Sequence, residues 1–146
     1  MQYFEDFAVG QRFSSGRRRV EAAEITAFAA EYDPQPFHLD DVAGQASVFG
    51  GMAASGWHTA AMTMRLLVPS AFQPAGGIVG FGGELAWLKP VRPGDELCVE
   101  SEIIATRPSQ SRPGQGLVTV RVTTLNQHGE TVQTFTPTLL VDRRPR

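Results

Sequence analysis

The sequence contains one cysteine, Cys98, so no internal disulfide can brace the chain. That residue lies in the alternating run ELCVESEI, which suits a small inward-facing side chain rather than a nucleophile. No apolar run approaches the ~20 residues of a membrane span, which argues against a membrane-embedded role. The opening residues MQYFEDFAVG carry two acids and lack a basic stretch followed by an apolar one. No secretory signal is read there, and a cytoplasmic location is expected. An excess of charge of one sign is also lacking. The formal net charge of −2 argues against a strongly electrostatic nucleic-acid binder, although Arg17, Arg18 and Arg19 form one local basic cluster and Arg143, Arg144 and Arg146 another. These read as a solvated strand face and a frayed tail, with contact to a phosphate as the alternative. Repeats, low-complexity tracts, long linkers and clustered metal ligands are all missing. A single domain over residues 1–146 is therefore expected, long enough to bury roughly 68–70% of the surface its unfolded chain exposes.

What is present divides into helical and strand-like halves. EAAEITAFAAEY, from Glu21 to Tyr32, puts Ile25, Phe28 and Ala29 on one face, and Pro34 disfavours helical geometry at Asp33, so a helix ends near Tyr32. A second helix is expected from about Ser55 to Val68, SGWHTAAMTMRLLV; its apolar residues surround the axis, which predicts burial on most sides. Further on, Glu84 to Val91, Asp95 to Thr106, Leu117 to Leu125 and Thr131 to Val141 are rich in β-branched residues and alternate in part. The turn-forming stretches between them point to an antiparallel meander, and Pro137 suggests an edge position or a bulge in the last strand. One buried helix followed by long antiparallel strands predicts an α+β, hot-dog fold. The glycine-rich GGIVGFGG, Gly76 to Gly83, precedes a strand-like run and does not open a helix, so it does not read as a dinucleotide loop.

The stretch YDPQPFHLDD holds the candidate chemistry. Asp33 and His38 would stand ~15 Å apart in an extended polyproline conformation and meet only if the segment bends back, a bend that Pro34 and Pro36 can fix. Spacing alone leaves two readings: a working acid and histidine, or an acid capping turn amides beside a surface histidine. FGGMAASGWHTAA, Phe49 to Ala61, leads small residues into the second helix, with Ser55 as N-cap and Gly56 in the first turn. Free amides there stabilise a carbonyl that gains negative charge, and glycine lets it approach. Ordinary capping and tight packing are the other account. His58 reads as packed on the helix and His128 as solvated in a turn.

DPQPFH resembles the Asp-x-Asn-Pro-aliphatic-His signature of the MaoC-like dehydratases and (R)-specific enoyl-CoA hydratases. FGGMAASGWHTAA is similar to that family's entrance to its central helix, and LKPVRPGDEL to its first hairpin of long strands. The similarity runs from about Phe13 to Val141. Gln35 replaces asparagine, Phe37 a smaller aliphatic residue, and Met64 a serine found in some hydratases. The resemblance implies reversible addition of water to a trans-2-enoyl thioester, usually of coenzyme A, in fatty acid metabolism. It implies Asp33 and His38 as the pair that holds and deprotonates water and protonates the α-carbon, with Gly56 and Ser55 at the thioester carbonyl. It further implies no metal, no cofactor beyond the coenzyme A of the substrate, and a homodimer or higher homo-oligomer with the cleft at the subunit boundary. Two alternatives keep the fold. A thioesterase of this architecture carries an acid on or near the central helix, and Gly56 to Val68 has none; a non-catalytic acyl-thioester-binding subunit could lose either Asp33 or His38.

Overall fold

Alternating β-branched residues in the second half of the chain build the frame. The computed structural model describes residues 1–146, with strands β1 (Arg12–Arg19), β2 (Val79–Trp87), β3 (Glu96–Pro108), β4 (Gln115–Leu125) and β5 (Thr131–Asp142) in one antiparallel sheet ordered β1-β3-β4-β5-β2. Every second residue of β3 and β4 faces inward: Leu97, Val99 and Ile103 from one, Val118, Val120 and Val122 from the other. Each such apolar side chain contributes roughly 1.5–3 kcal/mol by leaving water. Four helices accompany the sheet: α1 (Ala22–Tyr32), the short α2 (Pro36–Leu39) and α3 (Asp41–Gln45), and α4 (Gly56–Leu67). Met62, Leu66 and Leu67 of α4 and Ile25 of α1 join the strand residues in one hydrophobic cluster. A long antiparallel sheet against one central helix is the α+β, hot-dog arrangement. None of the helices is long and apolar enough to cross a membrane.

Two expectations are corrected by the topology. The strands are not a simple meander: only β3, β4 and β5 follow one another, while β2 pairs with β5 and β1 with β3. LKPVRPGDEL is accordingly no hairpin. Pro90 and Pro93 offer no amide hydrogens to a ladder. The connection leaves the β5 side at Leu88, whose amide donates to Val132, meets the chain before α4 where Val91 accepts from Ala54 at 2.8 Å, and reaches β3 through Gly94, which donates to Val20. Helix α4 is enclosed on most sides, as expected, with one narrow exposed stripe of Trp57, Ala61 and Arg65 running on to Val68.

Pro137 marks a bulge and not an edge, because β5 lies between β4 and β2. The β2 register shifts between Gly80 and Gly83, and a Cβ on Gly83 would fall 2.5 Å from the Thr136 carbonyl oxygen. Arg143 and Arg144 of the C-terminal cluster do not fray. Arg143 donates to Glu5 at 3.0 Å and Arg144 to Asp6 at 2.5 Å, and Arg144 lies over the Tyr3 ring. Backbone and side-chain bonds from Arg144 and Arg143 pull the Glu5 carboxyl down to about 2.

A polar thread crosses the interface between α4 and the sheet. Thr63 donates to the Thr59 carbonyl at 2.9 Å and lies 2.6 Å from the Thr124 hydroxyl. Its oxygen also accepts from Gln133, which is 1% exposed. Replacing Thr63 by Val removes the acceptor of a buried amide, an effect of about 1–3 kcal/mol. Urea denaturation of Thr63→Val should show that loss with an unchanged slope, and a midpoint equal to wild type would contradict the thread's structural role.

Candidate active site

Helix α1 ends where Asp33, its C-cap, leaves helical geometry ahead of Pro34. The Gln35 amide donates to the Asp33 carbonyl at 2.8 Å, and Pro36 then starts α2 with its backbone already set for a helix. The segment therefore turns back within one helical turn. It brings His38 Nε2 to 3.3 Å from Asp33 Oδ2, with the histidine side chain 5% exposed and the aspartate 17%. The bend required for the two side chains to meet is present.

The other ring nitrogen is held from the opposite direction. His38 Nδ1 lies 2.6 Å from the Ala53 carbonyl oxygen, and because a carbonyl only accepts, Nδ1 carries the hydrogen. This leaves Nε2 facing Asp33 and the cleft. The Ala53 carbonyl is itself fixed by a clasped loop. Arg92 donates to the Phe49 and Met52 carbonyls, and Asp41 accepts from the Met52 amide at 3.0 Å. That bond, with help from Gln45 and Arg92, holds the Asp41 carboxyl below its usual range. Gly44 and Gly51 pack backbone to backbone, since a Cβ on Gly44 would fall 2.5 Å from the Gly51 carbonyl carbon. Phe37 and Phe49 stack edge-on at 5.1 Å and screen the His38 ring.

Burial would raise the Asp33 carboxyl, but hydrogen bonds from Ser55 and Gln35 and the nearby His38 outweigh it, and its pKa lies below the usual carboxylate value. The Gln35 side chain donates to Asp33 Oδ1 at 2.6 Å, leaving Oδ2 for the histidine. Neither contact was legible in the sequence, where Gln35 stands as a departure from a signature and Ser55 as a helix cap expected, with Gly56, at the thioester carbonyl. Ser55 does cap α4, accepting from the Trp57 amide at 3.3 Å, but it is buried behind Asp33 and does not line the cleft.

Gly56 does line it. No protein group accepts the Gly56 N–H, the first orphan donor of α4, and it sits at the positive end of the helix dipole. The cleft encloses about 500 Å³ between Asp33, His38, Gly56 and the β2–β3 connection from Trp87 to Val91. Its walls are largely apolar, with the ion pair of Lys89 and Glu130 at one rim. Trp87 was missed in the sequence as a site residue. Its indole rests on the Gly56 backbone where any side chain would collide, meets Trp57 edge-on at 5.1 Å, and donates to Gln133 at 3.0 Å.

The remaining histidines stay outside the cleft. His58 is stacked on Phe28 at 4.6 Å, and burial, partly opposed by Glu24, lowers its pKa. His128 is exposed in the β4–β5 turn. The basic cluster of β1 is engaged internally: Arg17 with Glu96, Arg18 with Glu24 and Arg19 with Glu21.

Known proteins resemble this chain in sequence and fold. Residues 6–126 match the family described as MaoC like domain. The crystal structure of the MaoC-like dehydratase from Rhodospirillum rubrum is 59% identical in sequence and superposes with a TM-score of 0.97 over the full length of both chains. The (R)-specific enoyl-CoA hydratase of Aeromonas caviae is 33% identical over 104 residues, 70% of this chain and 75% of its own. The mesaconyl-CoA hydratase of Cereibacter sphaeroides is 32% identical over 146 residues, 98% of this chain but only 42% of the relative's length. With the family match spanning most of the sequence, the chain belongs to the MaoC-like domain family.

Proposed function

We propose that the protein adds water reversibly to the double bond of a trans-2-enoyl thioester, an enoyl-CoA, to give the 3-hydroxyacyl thioester. The observation that carries this reading is the Asp33–His38 pair, 3.3 Å apart in an apolar-walled cleft beside the unpartnered Gly56 N–H. Hydration needs a proton removed from water and a proton delivered to carbon, close together and near neutral pH. In the proposed reaction the thioester carbonyl accepts from Gly56, and water sits between Asp33 Oδ2 and His38 Nε2. The water oxygen bonds to the β-carbon while its proton passes to the pair. The electrons of the double bond move toward the carbonyl, where the Gly56 amide and the helix dipole stabilise the charge. The pair then returns a proton to the α-carbon, so the net change is addition of one water. No cofactor beyond the coenzyme A of the substrate takes part in this scheme. Helix α4 carries no Asp or Glu to activate water for thioester hydrolysis, which favours hydration over a thioesterase reaction.

Asp33→Asn and His38→Ala should each lower hydration of crotonyl-CoA by about 10²–10⁴-fold while leaving the fold intact, with free thiol measured in parallel to report hydrolysis. A folded variant with wild-type turnover would remove that residue from the mechanism.

The donors on Asp33 give a pH signature. A carboxylate held below its usual pKa stays charged as pH falls from neutral, so the acid limb of kcat/KM should lie below the ordinary carboxylate range. Gln35→Ala removes a donor to the charged form and should move that limb upward, toward higher pH. A limb that stays in place would show that Gln35 does not tune Asp33.

We also infer a homodimer. The outer edge of β2 has no partner strand within the chain, and Val79, Phe81, Trp87 and Leu88 are exposed on or beside it. A second copy related by a twofold axis would cover this edge. Sedimentation equilibrium at assay concentration should give twice the chain mass; a monomer with full activity would overturn the requirement.

A further inference from the structure

A second pocket lies beside the cleft. It encloses about 330 Å³ between α4 and the β2–β5 pair, and its lining is mostly apolar: Ala60, Met64, Leu85 and Phe135, with Trp57, Thr63 and Gln133 completing it. Trp57 borders both cavities. The Trp87 ring lines the cleft, while Gln133, which accepts its N–H, lines the second pocket. The two spaces are thus neighbours with the Trp57–Trp87 pair between them.

We propose that Trp87 is a specificity-determining residue: its half-exposed indole bounds the Asp33–His38 cleft on the side of the second pocket, so the protein takes short acyl thioesters and excludes long ones from that apolar pocket. This rests on the thioester reading above and adds to it the size of the acyl group. Three contacts hold the partition in place. The glycine backbone at position 56 lets the indole settle against α4 without collision. The edge-to-face contact with Trp57 fixes one side. The bond to Gln133 fixes the indole N–H, and Gln133 is itself locked by Thr63, so that partner is not free to follow a swinging ring. Trp87 lies directly opposite Gln133 in the β2–β5 register, so the hydrogen bond spans a cross-strand pair and sets the ring by sheet geometry. Apolar space beyond a wall of this kind favours a longer acyl chain only when the wall is removed.

The test compares kcat/KM for trans-2-octenoyl-CoA and crotonyl-CoA in wild type, Trp87→Ala and Trp87→Leu, with folding checked by circular dichroism and thermal melting. Wild type should prefer crotonyl-CoA. Opening the wall should raise the octenoyl-to-crotonyl ratio by about fourfold for each methylene newly buried, hence by ~10-fold or more overall. Ala60→Leu added to the Trp87→Ala background refills the second pocket and should cancel most of the gain, a coupling that general loosening of the site would not produce. A ratio unchanged in both folded Trp87 variants, or a wild type that already prefers octenoyl-CoA, overturns the proposal. If wild type hydrates neither substrate, the hydratase reading fails by itself. The partition is then read from the dissociation constants of butyryl-CoA and octanoyl-CoA in the same variants, where an unchanged ratio refutes it. A protein that binds neither thioester refutes both readings.

Discussion

The buried hydrogen bond between His38 Nδ1 and the Ala53 carbonyl, 2.6 Å long and spanning 15 residues of chain, is the contact on which the site depends. It joins α2, where the sequence DPQPFH turns back on α1, to the extended segment that delivers the chain to α4. The histidine side of the bond is set by Pro36 and one turn of helix. The carbonyl side is set by Arg92 and Asp41, which hold the preceding loop from two directions. A ring pinned at one nitrogen has little rotational freedom at the other, so Nε2 remains directed at Asp33 without a second protein ligand. The Arg92 clasp places a residue from the β2–β3 connection in the support of His38. That connection thereby serves the site although it is not the hairpin its sequence suggested.

Asp33 and His58 show how desolvation leads to different electrostatic outcomes depending on the partners around it. Desolvation is the largest influence on both. Around Asp33 it is opposed by Ser55, Gln35 and His38, all favouring the anion, so the carboxyl remains more acidic than usual. His58 has no hydrogen-bond partner for its buried Nδ1 and lies flat against Phe28, so desolvation prevails and the neutral ring is favoured. The first environment maintains a charge at the cleft, where the proposed reaction places its water. The second makes the histidine part of the packing between α1 and α4.

Much of this frame was legible because local chemistry determines it. Pro34 stops α1, Ser55 caps α4, and β-branched alternation marks β3, β4 and β5, each within a few residues of the observed bounds. Strand order was not legible, because pairing β2 with β5 depends on how the sheet curls around α4, and nothing in ELAWLKPV specifies which neighbour will satisfy its backbone. β1 was weakly marked for the opposite reason: RFSSGRRR has one large apolar residue, Phe13, as befits an edge strand whose outward positions carry arginines paired with Glu96 and Glu21. At the site, the Asp33 and His38 side chains were identifiable as a pair through their resemblance to a known signature. The donors around Asp33 were not, since a glutamine two residues away and a serine 22 positions on become neighbours only after the chain has folded back.

Gly56 explains why the proposed carbonyl position and the wall beyond it are linked. The absence of a side chain exposes its N–H to the cleft, and the same absence lets the Trp87 ring rest on the helix backbone. A Cβ at this position would displace the indole before it affected the helix, because the first turn of α4 is already capped by Ser55 and tolerates alanine in its backbone geometry. The donor and the wall therefore share one atom's worth of space at the start of α4. A thioester carbonyl seated on the amide would have its acyl group directed along a surface that Trp87 partly forms, so the depth available to that group is set where the carbonyl is held. Under the proposed reaction, binding geometry and acyl length would both follow from the same glycine–tryptophan contact, maintained from the sheet by Gln133 and from the helix by Thr63.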